Sequence, residues 1–170
     1  ISFNINSIRA RLHQLEYIRD NLNPDVIGLQ ETKVNDPDFP IEDIESIGYH
    51  AEFWGQKGHY GVALLSKTKP NKVCKGFKND TEEDQKRFIQ ASYKFGSEEI
   101  FILNGYFPQG ENINHEIKFP KKIKYYNDLR NHILELQKTT KNIIVMGDFN
   151  VAPESIDIGI GENNIKRWLS

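Results

Sequence analysis

One combination of elements occurs twice in this sequence: an amphipathic helix, a short apolar strand and a carboxylate at the end of that strand. The first helix is predicted over residues 8–22, with Ser7 as its N-cap, and the apolar run after it ends in Glu31. A second helix, opened by Pro120, precedes another apolar run that ends in Asp148. Strands that are apolar throughout have both faces buried, which is typical of α/β proteins.

The stretch between the two copies has a different pattern. Short segments separated by turn residues follow one another, which predicts an antiparallel meander. Buried strands and a meander in one chain favour a mixed-sheet α/β sandwich over an all-parallel doubly wound fold. The predicted segments are residues 50–54, 60–66, 72–77, 87–95 and 100–104.

Composition narrows the functional classes. Charged residues make up 27% of the chain and the net charge is −2, so any binding of DNA must come from local basic clusters. Cys74 is the only cysteine, which excludes an internal disulfide and a Cys-based zinc site.

No apolar run has the length of a membrane span, so we predict a cytoplasmic protein. We also predict that residues 1–170 form a single domain that is incomplete at the C-terminus.

Polar side chains stand at the ends of four predicted strands. Because ligands in α/β proteins gather at strand ends, these side chains are candidates to converge on one site. Each one alone is more often a turn former or a helix cap. The set comprises Asn4 and Asn6, Gln30 and Glu31, Asn104 and Tyr106, and Asp148 and Asn150.

The combination of these groups indicates which metal ion and which class of reaction the site would support. It contains two carboxylates, several amides and one phenol, and no candidate nucleophile stands beside a His. Carboxylate and amide oxygens suit a hard cation such as Mg²⁺, which binds through one or two carboxylates plus substrate phosphate oxygens. The sequence therefore predicts a Mg²⁺ site and phosphoryl chemistry, in which a second carboxylate orients or deprotonates the attacking water.

Seven sequence blocks occur in order over essentially the whole chain: SFNINSIRARL, PDVIGLQETK, GQKGHYGVALL, NGYFPQG, FPKK, MGDFNVAP and DIGIGENNIKRWL. In these blocks the chain resembles the exonuclease III family of AP endonucleases, within the endonuclease/exonuclease/phosphatase superfamily. The resemblance implies a four-layered α/β sandwich with two mixed β-sheets flanked by helices, here lacking the C-terminal part of the second half. It also implies Mg²⁺-dependent hydrolysis of DNA 5′ of abasic sites and 3′-to-5′ exonuclease action on double-stranded DNA.

The resemblance also implies roles at the metal site. Glu31, in LQETK, corresponds to the metal-ligand Glu, and Asn4, in FNIN, to the amide that supports the metal and the catalytic carboxylate. Asn6 stands where relatives often have an Asp, and we assign it to the metal site as well. The implied cofactor is Mg²⁺, for which Mn²⁺ can substitute.

The catalytic groups follow from the same blocks. By resemblance, Asp148 activates water, Asn150 helps to place that water on the phosphorus, and Tyr106 lies near the scissile phosphate. In the family a later Asp and an Asp-His pair complete the site, and no match to them occurs in this chain. The five histidines, at positions 13, 50, 59, 115 and 132, lie in segments that do not resemble that motif.

Basic and aromatic residues outside this site are candidates for DNA contact. A turn that offers a cation, backbone N–H groups and a ring can bind a DNA backbone, although a plain hairpin tip explains it almost as well. A lysine-rich helix start suits phosphate attraction, and a solvated helix face is the equal alternative. By resemblance, Arg87 reaches into the duplex near the lesion. The DNA-binding candidates are Lys57, Gly58, Tyr60, Arg87, Gln109 and Lys118.

The predicted partner is double-stranded DNA with abasic sites or 3′ ends, with no membrane partner, and the protein is predicted to be a monomer. Two alternatives stay open at this point. One is a superfamily phosphatase acting on inositol phosphates or lipids, which shares the carboxylate and amide groups. The other is a catalytically dead, truncated DNA-binding fragment, which would bind an abasic duplex without turnover.

Overall fold

Two four-stranded β-sheets form the centre of the structure, a computed structural model that describes residues 1–154 and residue 157. The first sheet consists of β1 (Ser2–Asn4), β2 (Val26–Gln30), β3 (His50–Trp54) and β4 (Val62–Ser66). The second consists of β5 (Lys72–Lys75), β6 (Phe88–Phe95), β7 (Glu98–Tyr106) and β8 (Ile143–Asp148). The strand orders are β1-β2-β4-β3 and β5-β6-β7-β8. In each sheet one pair is parallel, β1 with β2 and β7 with β8, and the other pairs are antiparallel.

Helices cover the outer faces of these sheets. Among the described residues they are α1 (Leu12–Leu22), α2 (Ile41–Ser46) and α3 (Lys118–Leu136), with 3-10 turns at Ile8–Ala10 and Asp36–Asp38. One apolar cluster packs α1 and α2 against the first sheet, a second fills the space between the sheets, and a third packs α3 against the second sheet. The predicted four-layered α/β sandwich with two mixed sheets is therefore confirmed.

The prediction of one continuous meander is wrong. β3 and β4 pair within the first sheet, whereas β5, β6 and β7 belong to the second, so the chain crosses between sheets after Ser66. All five residues of β4 are buried, because this strand lies between β2 and β3 and is covered on both faces. Local alternation cannot reveal such a crossing, since it reports burial and not the identity of the neighbouring strand.

The first helix also differs from its prediction. It is divided into the 3-10 turn and α1, and Ser7 has a φ of 89° and makes no side-chain capping bond. The backbone N–H of Ser7 donates to the carbonyl of Glu31 (2.8 Å), and that of Ile8 donates to the carbonyl of Thr32 (3.1 Å). These bonds tie the segment to the end of β2, so its N–H groups are used there and not in a helix cap.

The second long helix begins at Lys118, two residues before Pro120. Pro120 therefore lies in the first turn, where its missing N–H is not required by the helix. The parallel register of β7 and β8 places Tyr106 beside Asp148 and Gly105 beside Gly147. A Cβ on Gly147 would lie 2.1 Å from the carbonyl oxygen of Gly105, so this close approach requires glycine.

Within residues 1–154 and 157, no helix is long and apolar enough to cross a membrane. The block DIGIGENNIKRWL lies outside the described residues apart from Asp157. That residues 1–170 form one domain, incomplete at its C-terminus, stays a prediction.

Candidate active site

The ends of β1, β2 and β8 meet at one edge of the sandwich. Asn4 ends β1, and its Nδ2 donates to Glu31 Oε1 (2.8 Å) and to Asp148 Oδ2 (2.9 Å). Glu31 follows a strand of the first sheet and Asp148 ends a strand of the second. One amide therefore joins two carboxylates that are delivered by different sheets, as the convergence of strand ends predicts.

Glu31 is held by partners on both of its oxygens. Lys33 Nζ lies 2.8 Å from Oε2, opposite the bond from Asn4 to Oε1. Burial alone would raise the pKa of Glu31, but the hydrogen bonds from Asn4 and Lys33 outweigh it and hold the pKa below its usual value. The group is therefore a carboxylate at neutral pH and can bind a cation.

Lys33 also donates to Asn6 Oδ1, and the backbone N–H of Asn6 donates to Asn4 Oδ1 (3.1 Å). The Lys33 ammonium group thus contacts Glu31 and Asn6, two of the three side chains assigned to the metal site. Sequence reasoning missed Lys33, whose signal is its position two places after Glu31 in the LQETK block.

Tyr106 ends β7 next to Glu31. Burial and the neighbouring Glu31 carboxylate raise the pKa of the Tyr106 phenol to about 12. The phenol is therefore protonated at neutral pH. It can donate a hydrogen bond to an oxygen atom at this site, such as a phosphate oxygen.

Asn150 lies in the turn after Asp148. Its backbone N–H donates to Asp148 Oδ1 (3.2 Å) and its side-chain amide donates to the carbonyl of Phe107 (2.9 Å). From α3, Lys122 Nζ donates to the carbonyl of Asn150 (2.7 Å) and the Tyr126 phenol donates to that of Phe149 (2.9 Å). The first half of α3 therefore fixes the position of this turn, a role that the sequence did not indicate for Lys122.

Unfavourable backbone angles concentrate at this edge. Glu31, Lys33, Asn6 and Asn150 have φ values of 53°, 56°, 45° and 49°, a region that non-glycine residues adopt only rarely. Such angles persist only where surrounding contacts impose them, and they cluster at functional sites. At Glu31 and Asn150 the contacts are the hydrogen bonds described above.

The oxygen atoms of this edge fit a hard divalent cation. No group of three or more His, Cys, Asp and Glu side chains that could hold a metal occurs within residues 1–154 and 157. A cation here would be held by the Glu31 carboxylate and the neighbouring amide oxygens of Asn4 and Asn6, with water and substrate completing its coordination. One or two carboxylates with several waters is the arrangement that Mg²⁺ prefers.

Two of the candidates at strand ends, Gln30 and Asn104, lie beneath the site and not in it. Both are buried, and Gln30 Nε2 donates to Asn104 Oδ1 (2.6 Å) across the interface of the two sheets. Asn104 Nδ2 donates to the carbonyls of Leu29 and Ala63, each at 2.9 Å. These amides therefore join the sheets behind the carboxylates.

The candidates for DNA contact come from several separate segments of the chain. Lys57 and Gly58 lie in the turn between β3 and β4, where Gly58 has a φ of 100° and open space around it. Gln109 is exposed after β7, and Lys118 begins α3, where it forms an ion pair with Glu111. All four lie in loops or at a helix end.

Tyr60 and Arg87 contact each other. The Arg87 guanidinium carbon lies 4.6 Å from the centre of the Tyr60 ring and 4.5 Å from that of the Tyr106 ring. Arg87 Nε donates to Gln85 Oε1 (2.7 Å) and Nη1 donates to the carbonyl of Tyr106 (3.0 Å). The guanidinium is thus stacked on two rings and bonded within the protein, and the expectation that Arg87 reaches into a duplex stays a prediction.

Comparison with known proteins places these features in a family. Residues 1–168 match the endonuclease/exonuclease/phosphatase family. The chain is 52% identical over 169 residues to exodeoxyribonuclease III of Haemophilus influenzae, which covers 99% of this chain and 63% of that protein. It therefore spans less than two thirds of the length of this relative.

Solved structures share the fold. An AP endonuclease from Archaeoglobus fulgidus superposes with a TM-score of 0.80 at 38% identity, covering 96% of this chain and 61% of that one. A 3′ phosphatase from Neisseria, solved with a product DNA hairpin, superposes with a TM-score of 0.83 at 28% identity, covering 91% and 58%. Both similarities extend over nearly all of the present chain.

Proposed function

Because this chain belongs to the endonuclease/exonuclease/phosphatase family, we propose that it carries active-site residues of a DNA-repair nuclease. The proposed reactions are hydrolysis of the phosphodiester 5′ of an abasic site and 3′-to-5′ removal of nucleotides from double-stranded DNA. The observation that carries this proposal is the bridge from Asn4 to the Glu31 and Asp148 carboxylates. Asn4 thereby joins Glu31, which is suited to hold a cation, to Asp148, which is suited to act on an attacking water.

The proposed cofactor is Mg²⁺, with Mn²⁺ as a substitute. Glu31 would hold the cation together with Asn6, and the cation would neutralise charge on the phosphate and on the leaving oxygen. Asn4 fixes the relative positions of the two carboxylates by donating to both.

The remaining groups act on water and phosphate. Asp148 accepts a proton as water attacks the phosphorus, the bond from phosphorus to the 3′ oxygen breaks, and that oxygen takes up a proton. Asn150, in the turn that α3 fixes, helps to place the water. The protonated Tyr106 phenol donates a hydrogen bond to a phosphate oxygen, which stabilises the charge that develops there.

We propose double-stranded DNA with abasic sites or 3′ ends as the partner, contacted by the candidates in loops and at the start of α3, which are Lys57, Gly58, Gln109 and Lys118. Lys57 and Gly58 lie in a turn that can approach a phosphate with a cation and backbone N–H groups. We also propose that the protein acts as a monomer in the cytoplasm, where the free thiol of Cys74 is compatible with a reducing compartment.

The proposal is tested with a duplex that carries one abasic-site analogue, incubated with this chain in Mg²⁺ and in EDTA. We expect a single incision 5′ of the analogue in Mg²⁺ and none in EDTA. A duplex with a 3′-phosphorylated end belongs in the same assay, because a structural neighbour is a 3′ phosphatase. Faster release of phosphate from a soluble inositol phosphate would contradict the proposal and favour the phosphatase alternative, and tight binding without any turnover would favour the DNA-binding fragment.

Lys33 gives a prediction about metal affinity. Its ammonium group lies 2.8 Å from Glu31 Oε2, where it competes with a cation for the carboxylate. Both side chains are partly exposed, at 23% and 18%, so solvent weakens this competition. Replacing Lys33 with Met should therefore tighten Mg²⁺ binding by roughly tenfold, or about 1.4 kcal/mol, measured by titration calorimetry.

Lys138→Met is the matched control for this measurement. Lys138 also forms an ion pair, with Glu135, but it lies beyond the C-terminal end of α3. We expect its Mg²⁺ affinity to equal that of the unmodified chain. Unchanged or weaker Mg²⁺ binding by Lys33→Met would show that the lysine does not compete with the cation.

A further inference from the structure

Three side chains form a stack beside the candidate active site. The Arg87 guanidinium lies between the Tyr60 and Tyr106 rings, at 4.6 Å and 4.5 Å from their centres. Arg87 precedes β6, Tyr60 precedes β4 and Tyr106 ends β7, so the stack joins segments from both sheets. A guanidinium over an aromatic face is attracted by the ring, and it is attracted more strongly where solvent is partly excluded.

Hydrogen bonds fix the arginine within this stack. Gln85 Nε2 donates to the Tyr60 phenol oxygen (2.7 Å), and Gln85 Oε1 accepts from Arg87 Nε (2.7 Å). Arg87 Nη1 donates to the carbonyl of Tyr106 (3.0 Å), and the Tyr106 N–H donates to the carbonyl of Arg87 (2.7 Å). The Tyr125 phenol donates to the same carbonyl of Arg87 (3.0 Å). Both the backbone and the side chain of Arg87 are therefore bound to fixed neighbours.

The contacts of the Tyr106 ring bear on its freedom to rotate. A tyrosine at the end of a strand can rotate about its side-chain torsions unless its neighbours restrict it. The guanidinium covers one face of this ring, while the phenol lies next to Glu31. A ring restricted in this way holds its phenol in one orientation, which favours reaction since a small misplacement of a catalytic group costs rate.

We propose that Arg87 is a positioning residue for Tyr106. On this inference, which rests on the proposed nuclease function, Arg87 holds the ring so that the phenol points at the two carboxylates, and Gln85 and Tyr60 hold Arg87. Its contribution is to the chemical step and not to the affinity for DNA. If the role of Arg87 were to bind a DNA phosphate, its guanidinium would instead be free to approach the duplex.

A double-mutant cycle separates the two roles. Arg87→Met, Tyr106→Phe and the double variant are compared in single-turnover incision of an abasic duplex at saturating protein. We expect Arg87→Met to lower the rate by roughly 10- to 100-fold, with duplex affinity changed by less than about threefold. The double variant should be no slower than Tyr106→Phe alone, because an effect that acts through Tyr106 disappears with its phenol.

Two outcomes would overturn the proposal. In one, the double variant is slower than Tyr106→Phe by the same factor by which Arg87→Met is slower than the unmodified chain, so that the two effects multiply. In the other, Arg87→Met weakens duplex binding and lowers the slope of log affinity against log salt by about one, as the loss of a phosphate contact does. Arg130→Met, at an exposed position of α3, controls for the loss of one positive charge and should change neither rate nor affinity.

A readout without catalysis keeps this inference separate from the proposed function. Carbon-13 NMR of labelled tyrosine reports the environment and the mobility of the Tyr106 ring in each variant. Arg87→Met should shift or broaden the Tyr106 ring signals, and Arg130→Met should leave them unchanged. Absence of incision by every form together with this NMR result would reject the nuclease function and retain the positioning of Tyr106. Unaltered Tyr106 signals in Arg87→Met would reject the positioning itself.

Two further variants guard against a folding defect. Arg87→Lys keeps the charge but loses the planar stacking surface and the hydrogen bond from Nε, so it should behave like Arg87→Met. Tyr60→Phe removes only the bond from Gln85 and retains the ring, so it should lower the rate less than Tyr60→Leu. Melting temperatures within a few degrees of the unmodified chain are required of each variant. Full activity of Arg87→Lys would contradict the proposal.

Discussion

Replacing Glu31 with Gln should lower metal-dependent incision of an abasic duplex by ~10³-fold, comparable to the loss of a main electrostatic contact in other enzymes. The substitution keeps the shape of the side chain but removes its charge. Glu31 is the one carboxylate among the three side chains proposed to hold the cation, so the Gln variant would offer the cation only neutral amide oxygens. Lys33 would also lose its ion pair, leaving a positive charge that repels the metal.

Glu135→Gln is the control for this loss. Glu135 also pairs with a lysine, but it is exposed and lies about 20 Å along α3 from Lys122, which contacts the site. Its incision rate should match that of the unmodified chain. The assay is single-turnover incision at several Mg²⁺ concentrations, with calorimetry for metal affinity. An unchanged rate in Glu31→Gln would reject the assignment of this edge as the active site.

Replacing Asn104 with Leu should lower the free energy of unfolding by about 3–5 kcal/mol, a large share of the stability of a domain of this size. Asn104 is fully buried between the sheets and uses its amide for three hydrogen bonds. Leucine is similar in volume but leaves the carbonyls of Leu29 and Ala63 and the amide of Gln30 without this partner. The buried polar groups then carry a desolvation cost that new apolar contacts do not offset.

Asn127→Leu, at an exposed position of α3, is the matched substitution and should change stability by less than about 0.5 kcal/mol. Urea unfolding followed by circular dichroism measures both variants. The two should have equal m-values if each unfolds in one step. A loss below 1 kcal/mol for Asn104→Leu would mean that other polar groups or water take over its bonds.

Much of the fold could be predicted from the sequence. α3 is predicted to within two residues because its apolar residues recur at helical spacing for about four turns, and Pro120 falls in its first turn. β2 and β8 are predicted because short apolar runs end in polar residues. The convergence of Asn4, Glu31 and Asp148 could also be predicted, since strand ends in such sheets share an edge.

Other features could not be predicted by the same reasoning. Ser7 looks like a helix cap, but its N–H bonds to the end of β2. The stacking of Arg87 on Tyr60 and Tyr106 has no local signal in the sequence. Asn104 resembled a site residue because it stands near a strand end, and it is buried between the sheets. In each case the partner lies far away in sequence.

The sequence by itself determined the elements, the polar groups at their ends and the resemblance to a nuclease family, because these depend on local spacing and residue type. The tertiary structure alone decided the assignment of strands to two sheets and the partners of each polar group. The bond from Asn4 to Asp148 spans 144 residues, and that from Gln30 to Asn104 spans 74. No local pattern specifies such pairs, since they form only when the two sheets pack and each buried polar group must find a partner.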